Sequence, residues 1–370
     1  MMKGWGKLIL LATILGFITI SVFFIKKITP LAPVTEIEDA RSLVSLAQKN
    51  KADIYSKKLF SEARASYDSA MVNWKRENDK FILFRNFDKT AEFARVASKK
   101  ALQSSENTLS SSSSLKLRLT PKIDSLYNVV TDLDELFSGF PLPTEIRSRI
   151  SKGKLALREG EIAFKNGQYL TANKKITDAE YMINGSYDHA MTKLEDYFKS
   201  YPVWKKWMEK AITESKQKRI SSIIVDKFSR KCYIYQNGIK KYEFEVELGK
   251  NWIGDKVIKG DNATPEGSYS IVNKIKGSNT KYHKALLINY PNAEDLDSFK
   301  QEKLKGTLPA SAKIGGSIEI HGNGGKGSDW TEGCIALRDK DMDVIYNLAK
   351  EGTPVTIIGS VKDLESILNR

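Results

Sequence analysis

The sequence predicts a multidomain chain: an N-terminal transmembrane helix, an all-α bundle or hairpin region, and a mostly-β C-terminal domain. Three observations carry that prediction. Leu8 to Ile25 is a nearly uninterrupted apolar run. From about 35 to 215, apolar residues recur at steps of three and four, the period of one helix face. After Ile220 the period changes to two, with β-branched and aromatic residues set between turn signals. The 370 residues exceed what one compact domain usually needs. The expected division is 1–30 for the apolar helix, 31–218 for the helical region, 219–360 for the β-rich domain and 361–370 for a short tail.

Lys3 and Lys7 precede the apolar run, and Lys26 and Lys27 close it. Spanning a bilayer takes about 20 apolar residues, with about 17 the lower limit, and flanking lysines can snorkel outward. The run ends in Phe23, Phe24 and Ile25, so no small-x-small cleavage site follows it. The expectation is an uncleaved signal anchor, with a cleaved signal peptide as the alternative. The flanking lysines nearly balance and do not set the orientation.

In the helical region one stripe is Leu59, Ala63, Tyr67, Ala70 and Trp74, and another is Phe93, Ala97 and Ala101. Ala156, Ala163, Phe164, Tyr169, Ala172 and Ala179 have the small-and-aromatic spacing of packed helical hairpins. A degenerate repeat of the tetratricopeptide kind and an irregular coiled-coil spacer are the two readings. Either leaves room for a protein partner. Breaks are expected at Ser110–Ser114 and at Ser138–Thr144, where Gly139, Pro141 and Pro143 cluster, and a linker at Glu214–Arg219.

In the last segment, Ser222–Asp226 and Lys231–Gln236 read as strands, and Asn237-Gly238 is a favoured two-residue hairpin turn. Tyr242–Leu248, Ser268–Asn273, Ala285–Tyr290, Ser317–His321 and Pro354–Ile358 follow as strands. One helix, about Lys340–Lys350, lies between the last two, with Asp339 as its expected cap.

The net charge of +14 favours anionic surroundings. No RNP-type aromatic motif or zinc-finger spacing is present, so nucleic acid is not an expected partner. There are two cysteines and three histidines. Cys232, in Lys-Cys-Tyr-Ile-Tyr, reads as a core or edge residue; a bridge to Cys334 would silence that thiol.

The chemistry concentrates in Ile318-Glu319-Ile320-His321-Gly322-Asn323 and Thr331-Glu332-Gly333-Cys334-Ile335-Ala336-Leu337-Arg338. A cysteine nucleophile needs a base within hydrogen-bond reach, because a free thiol has a pKa of about 8.5. It also needs N–H groups aimed at the developing oxyanion. Gly333-Cys334 on a tight turn supplies sulfur and N–H groups together. His189 lies in the helical region and His283 beside a loop, which leaves His321 as the base. On spacing alone a buried core pair is the competing reading. A zinc site with Glu332 or Asp329 is another, though without metal-ligand spacing. The loop Gly324-Gly325-Lys326-Gly327 lacks a phosphate-loop context and reads as flexible.

This segment resembles the L,D-transpeptidase catalytic domain, the YkuD type. Its motif runs His, a variable loop, then Ser or Thr, His, Gly, Cys, matched here by His321, 322–330, Thr331, Glu332, Gly333 and Cys334. Ile223-Ile224-Val225-Asp226 is also similar, and Thr264-Pro265-Glu266-Gly267-Ser268-Tyr269 matches the Thr-Pro-x-Gly-x-Tyr signature. Gly254-Asp255-Lys256 and Gly260-Asp261 are similar to the murein-transpeptidase branch of many Gram-negative bacteria. The resemblance covers about 221–359 and implies a mostly-β catalytic domain with one helix after the cysteine.

The resemblance implies Cys334 as nucleophile, His321 as general acid and base, Gly322 as the residue whose carbonyl orients the imidazole, and the Gly333 and Cys334 N–H groups facing the oxyanion. Thr331 supports the cysteine loop, or only its turn. Trp330 and Tyr282 line the cleft or belong to the core. Two departures matter. Glu332 stands where the family often has a second His, and either alters substrate handling or is a neutral surface substitution; Ala336 stands where many members have Arg, so Arg338, two positions later, either meets a stem-peptide carboxylate or makes a plain surface ion pair. The implied substrate is a peptidoglycan stem peptide, without cofactor or metal. The implied reaction is 3→3 cross-linking or transfer to another amine; a hydrolytic carboxypeptidase or amidase and a non-catalytic wall-binding scaffold are the alternatives. The implied place is the inner membrane with the catalytic domain in the periplasm, or the periplasm alone after cleavage.

Overall fold

The computed structural model describes residues 5–369, with side chains in the first helix described only for 10–21. The chain forms two compact units: Met1–Asp124 with Glu159–Ile176, and Ser125–Arg158 with Thr177–Arg370.

The first unit opens with α1 (Trp5–Ile28) over the expected apolar run. Among the described residues, however, no helix is long and apolar enough to cross a membrane. The transmembrane helix and the single-pass inner-membrane placement are corrected accordingly. Lys3 lies outside the described residues, as do the side chains of Lys7, Lys26 and Lys27.

The unit continues with α2 (Val34–Lys49), α3 (Ala52–Tyr55), α4 (Lys57–Asn78) and the first part of α5 (Asp88–Leu136). The predicted α4 stripe faces inward. Ala70 is buried with Ile37, Ala40, Ala94 and Ala97, and Tyr67 and Trp74 pack at the rim. Ala63 joins Phe60, Ala47, Ala52 and Ala101 in a second cluster. The expected break at Ser110–Ser114 does not occur; α5 runs through it and through Pro121. Serine costs a helix only a few tenths of a kcal/mol per residue. The Ser112 hydroxyl also donates back to the Leu109 carbonyl at 3.1 Å rather than competing for a turn.

The second unit takes in the end of α5, part of α6 (Thr144–Lys165), most of α7 (Tyr169–Phe198) and α8 (Tyr201–Lys218). The turn with Gly139, Pro141 and Pro143 separates α5 from α6 as expected. The predicted linker at 214–219 is instead the last turn of α8, which ends where Arg219 adopts φ +54°. Its buried Ser215 hydroxyl donates to the Ile220 carbonyl at 2.7 Å and accepts the Gly238 N–H at 3.3 Å.

The strands are β1 (Ser221–Asp226), β2 (Lys231–Gln236), β3 (Ile239–Glu245), β4 (Gly267–Lys276), β5 (Lys284–Ile288), β6 (Glu319–His321), β7 (Ile335–Ala336) and β8 (Pro354–Ile358). Among the described residues they form one sheet in the order β3-β2-β1-β8-β4-β5-β6-β7. Pairs β1–β8 and β6–β7 are parallel, the rest antiparallel. Asn237 and Gly238 both have positive φ, at +53° and +78°, which the predicted hairpin turn requires. A helix absent from the sequence expectation, α9 (Ala293–Leu304), lies between β5 and β6 and starts with a capping box of Asn292 and Asp295. After β7 comes α10 (Asp339–Leu348), and α11 (Leu364–Leu368) ends the chain. Asp339 does not cap α10; its Oδ1 accepts the Asn323 N–H at 2.7 Å.

α7 and α8 are fastened to the sheet. Trp204 of α8 is buried over Gly359, where a Cβ would fall 2.2 Å from the indole. Around it Tyr197, Phe198, Phe228 and Trp252 pack in tilted or edge-to-face pairs, each such pair adding about 0.5–1.5 kcal/mol beyond area burial. At the centre is an ionic knot. Glu266 Oε1 accepts from Tyr197 Oη at 2.7 Å and Lys227 Nζ at 2.8 Å, and Oε2 from Trp204 Nε1 at 2.9 Å. The fully buried Lys227 also donates to the carbonyls of Gly254 and Thr264. The knot therefore holds the 254–266 loop, whose Ala263 carbonyl reaches the site below.

Candidate active site

His321 closes β6 and Cys334 directly precedes β7. The parallel register pairs Ile320 with Ile335 and His321 with Ala336. Side chains alternate along a strand, so Glu319 and His321 share a face, and the residue before Ile335 faces it from the neighbouring strand. Two residues thirteen positions apart become neighbours because the Gly-rich loop folds back between two short parallel strands.

His321 is buried, and its Nδ1 lies 2.6 Å from the Gly322 carbonyl. A carbonyl only accepts, so Nδ1 carries the proton and Nε2 keeps its lone pair. Nε2 is buried without a hydrogen-bond partner among the described residues. Tyr282 stacks flat on the imidazole, with centroids 3.6 Å apart and planes 8° from parallel. Trp330 meets its edge at 5.9 Å and is held by Glu247, which accepts the indole N–H at 2.7 Å. Burial, aided by the Lys281 and Lys326 charges and opposed by the Gly322 bond, pushes the His321 pKa down to about 4. The imidazole is neutral at pH 7, as a base must be. A side chain at 322 would force its surroundings to shift, since its Cβ would meet Asp339 Oδ1 at 2.6 Å and His283 Cβ at 2.9 Å.

Cys334 is partly exposed, and its Sγ lies 3.7 Å from the Ser317 carbonyl. Burial pushes its thiol pKa up, with the Glu319 charge acting the same way; the Glu319 N–H and the Lys281 and Lys256 charges oppose. The site at rest thus holds a neutral thiol and a neutral imidazole on neighbouring strands. Gly333 has φ +135°, and a Cβ there would stand 2.5 Å from the Ala263 carbonyl, so only glycine fits. Thr331 Oγ1 donates to the Cys334 carbonyl at 2.7 Å and accepts the Gly333 N–H at 3.2 Å. That differs from the expectation for Gly333, whose N–H is spent on Thr331 rather than turned toward an oxyanion.

A cavity of about 620 Å³ opens at Cys334. Tyr282, Trp330, Thr331 and Glu332 line it, together with Lys256 and Lys281, to which the sequence reading gave no role. Arg338 does not reach this cavity. It lines a separate cleft of about 870 Å³ and pairs with Glu245 at 3.3 Å. Both side chains there are more than half exposed, so the pair contributes little. The zinc reading lacks its ligands: Asp329 is taken by Arg230 at 3.0 Å and the Leu248 N–H at 2.8 Å. Among the described residues no group of three His, Cys, Asp or Glu is placed to hold a metal. Cys232 is buried and free, its thiol pushed up to about 12 by burial.

Residues 221–357 match the family model of the L,D-transpeptidase catalytic domain, YkuD, and this part of the chain is placed in that family. No curated protein matches the chain. Among solved structures, Bd1075 of Bdellovibrio bacteriovorus is 24% identical with a TM-score of 0.30, over 40% of this chain and 51% of that one. An L,D-transpeptidase from Stackebrandtia nassauensis is 15% identical with a TM-score of 0.27, over 39% and 57%. One from Mycobacterium smegmatis is 12% identical with a TM-score of 0.25, over 37% and 58%. The chain thus spans a little over half the length of the solved structures it matches.

Proposed function

We propose that the chain is a cysteine-dependent L,D-transpeptidase acting on peptidoglycan stem peptides. The observation that carries this reading is the state of His321: Nδ1–H tied to the Gly322 carbonyl, Nε2 buried and unpartnered, on the strand beside Cys334. In the proposed reaction Nε2 takes the Cys334 proton as sulfur attacks the carbonyl of the third residue of a tetrapeptide stem. The tetrahedral oxyanion is met by backbone N–H groups of the cysteine loop, with Cys334 as the first candidate, since Gly333 is engaged. The imidazolium returns its proton to the leaving D-alanine nitrogen, and a thioester remains. An amine of a second stem attacks it, loses a proton to Nε2, and releases the thiol with a 3→3 cross-link.

The hydrolytic reading shares every step up to the thioester and replaces the amine by water. The exposed Glu332 carboxylate on the cavity wall, where the family often has a second His, favours keeping it in view. Purified tetrapeptide muropeptides separate the readings. Dimers mean transpeptidation, tripeptides alone mean hydrolysis, and no turnover beside active controls leaves a wall-binding scaffold. Cys334→Ala should abolish every product, and activity that survives it sinks the mechanism. Acylation of Cys334 by a carbapenem, read as a mass increase, is the first test.

A further inference from the structure

The cavity at Cys334 holds a buried cation that the mechanism above does not use. Lys256 is 6% exposed and lines the cavity. Its Nζ donates to Asp261 Oδ1 at 2.6 Å and reaches the Glu332 carbonyl, two residues before the nucleophile, at 3.5 Å. An ammonium has three donors; one is well used, one is at the limit of a hydrogen bond, and one has no partner among the described residues.

Asp261 pins the lysine without quenching it. Its carboxylate also accepts the Val257, Ile258 and Ala263 N–H groups at 2.8, 2.9 and 3.0 Å, so its negative charge is already shared among four donors. The lysine stem packs close to Gly315, where an added Cβ would stand 3.2 Å from its Cε. Lys259 and Lys281 line the same cavity, against the carboxylates of Glu319 and Glu332. Arg338, the residue expected to meet a carboxylate, faces elsewhere.

We propose that Lys256 is the anion anchor of this cavity and binds the free α-carboxylate of the residue that leaves when Cys334 attacks. The inference rests on Cys334 being the nucleophile. It adds to that reading the group that holds the terminal carboxylate of the tetrapeptide stem. In a C-terminal residue that carboxylate is two bonds beyond the scissile nitrogen, so an ammonium beside the cysteine loop lies within its range. An internal peptide bond has no charge there and leaves the cation unsatisfied.

The test uses two small electrophiles on the full chain, iodoacetate and iodoacetamide, which differ in carrying or lacking a carboxylate. Alkylation of Cys334 is followed by intact mass, and the iodoacetate-to-iodoacetamide rate ratio is divided by that of free cysteine. The anchor predicts a normalised ratio of about ten, the scale of one hydrogen bond to a charged group. Lys256→Met should return it toward one. Because that change strands Asp261, the double variant Lys256→Met with Asp261→Asn is measured too, and should lose the preference equally. Asp261→Asn alone keeps the ammonium and should keep the preference, whereas a merely structural ion pair would lose it in all three. A ratio near one in the unaltered chain, or one unchanged by both lysine variants, overturns the anchor while leaving the nucleophile intact. If neither reagent alkylates Cys334, the nucleophile reading falls and the anchor falls with it.

Discussion

Replacing Tyr282 by alanine should move the acid limb of Cys334 reactivity upward. The tyrosine ring covers one face of the imidazole at 3.6 Å, and burial is the main cause that holds His321 near a pKa of about 4. Opening that face to water lets the pKa rise toward about 6.5, the unperturbed value. Only neutral imidazole accepts the thiol proton. At pH 5.5 about 97% of His321 is neutral with a pKa of about 4, against about 9% with a pKa of 6.5. The variant should therefore be about tenfold slower at pH 5.5 when each protein is normalised to its own rate at pH 7.5. The assay is the pH dependence of Cys334 alkylation by iodoacetamide, read by mass. An acid limb near pH 6.5 in the unaltered protein would refute the claim that the site holds its imidazole neutral. A variant limb still near pH 4 would refute the claim that Tyr282 keeps the ring dry.

Other outcomes follow from the same contacts. Gly333→Ala must leave a positive φ or push the Ala263 carbonyl away, so denaturant melts should show a loss of about 1–3 kcal/mol, with turnover lost as well. Glu266→Ala strands the buried Lys227 ammonium and removes the acceptor of two aromatic donors; urea unfolding should show a loss of about 3–5 kcal/mol. Trp204→Ala opens a cavity above Gly359, and the same measurement should show a comparable loss of about 3–5 kcal/mol. With its pKa at about 12, Cys232 is only about one part in ten thousand thiolate at pH 8. Iodoacetamide should accordingly add one adduct to the native chain, on Cys334, and a second only after unfolding.

Local chemistry made much of the fold legible. The α4 stripe, the Asn237-Gly238 turn and the alternation after 220 each encode their geometry within a few residues. The His321 and Cys334 pairing was legible for another reason, because its flanking motifs stand in order along the chain. What stayed hidden is settled by partners distant in sequence. Glu266 fills the variable position of the Thr-Pro-x-Gly-x-Tyr signature, yet two of its donors lie 62 and 69 positions upstream. Lys256 sits in a quoted motif, but its burial depends on Asp261 and Gly315 folding around it. The Ser110–Ser114 run has a loop composition and becomes helix because helix continues on both sides and its cost is small. The capping box at Asn292 was readable and went unread, so α9 was missed. At Gly333 the reason for glycine is the Ala263 carbonyl, distant in sequence, and the N–H bonds Thr331 two residues earlier.

The knot at Glu266 carries a consequence for the history of the chain. Two helices and a catalytic loop share one carboxylate, so none of the three can drift alone. A descendant that lost α8 would keep an acid and an ammonium sealed under the sheet, with one of the three side-chain donors to Glu266 gone. Positions 227 and 266 would then have to turn apolar together, and the indole-filled space above Gly359 would have to be closed by a larger residue. Substitutions at 197, 204, 227, 266 and 359 should therefore arise as a set, and a lineage in which they vary independently has rebuilt the join between its helices and its catalytic sheet.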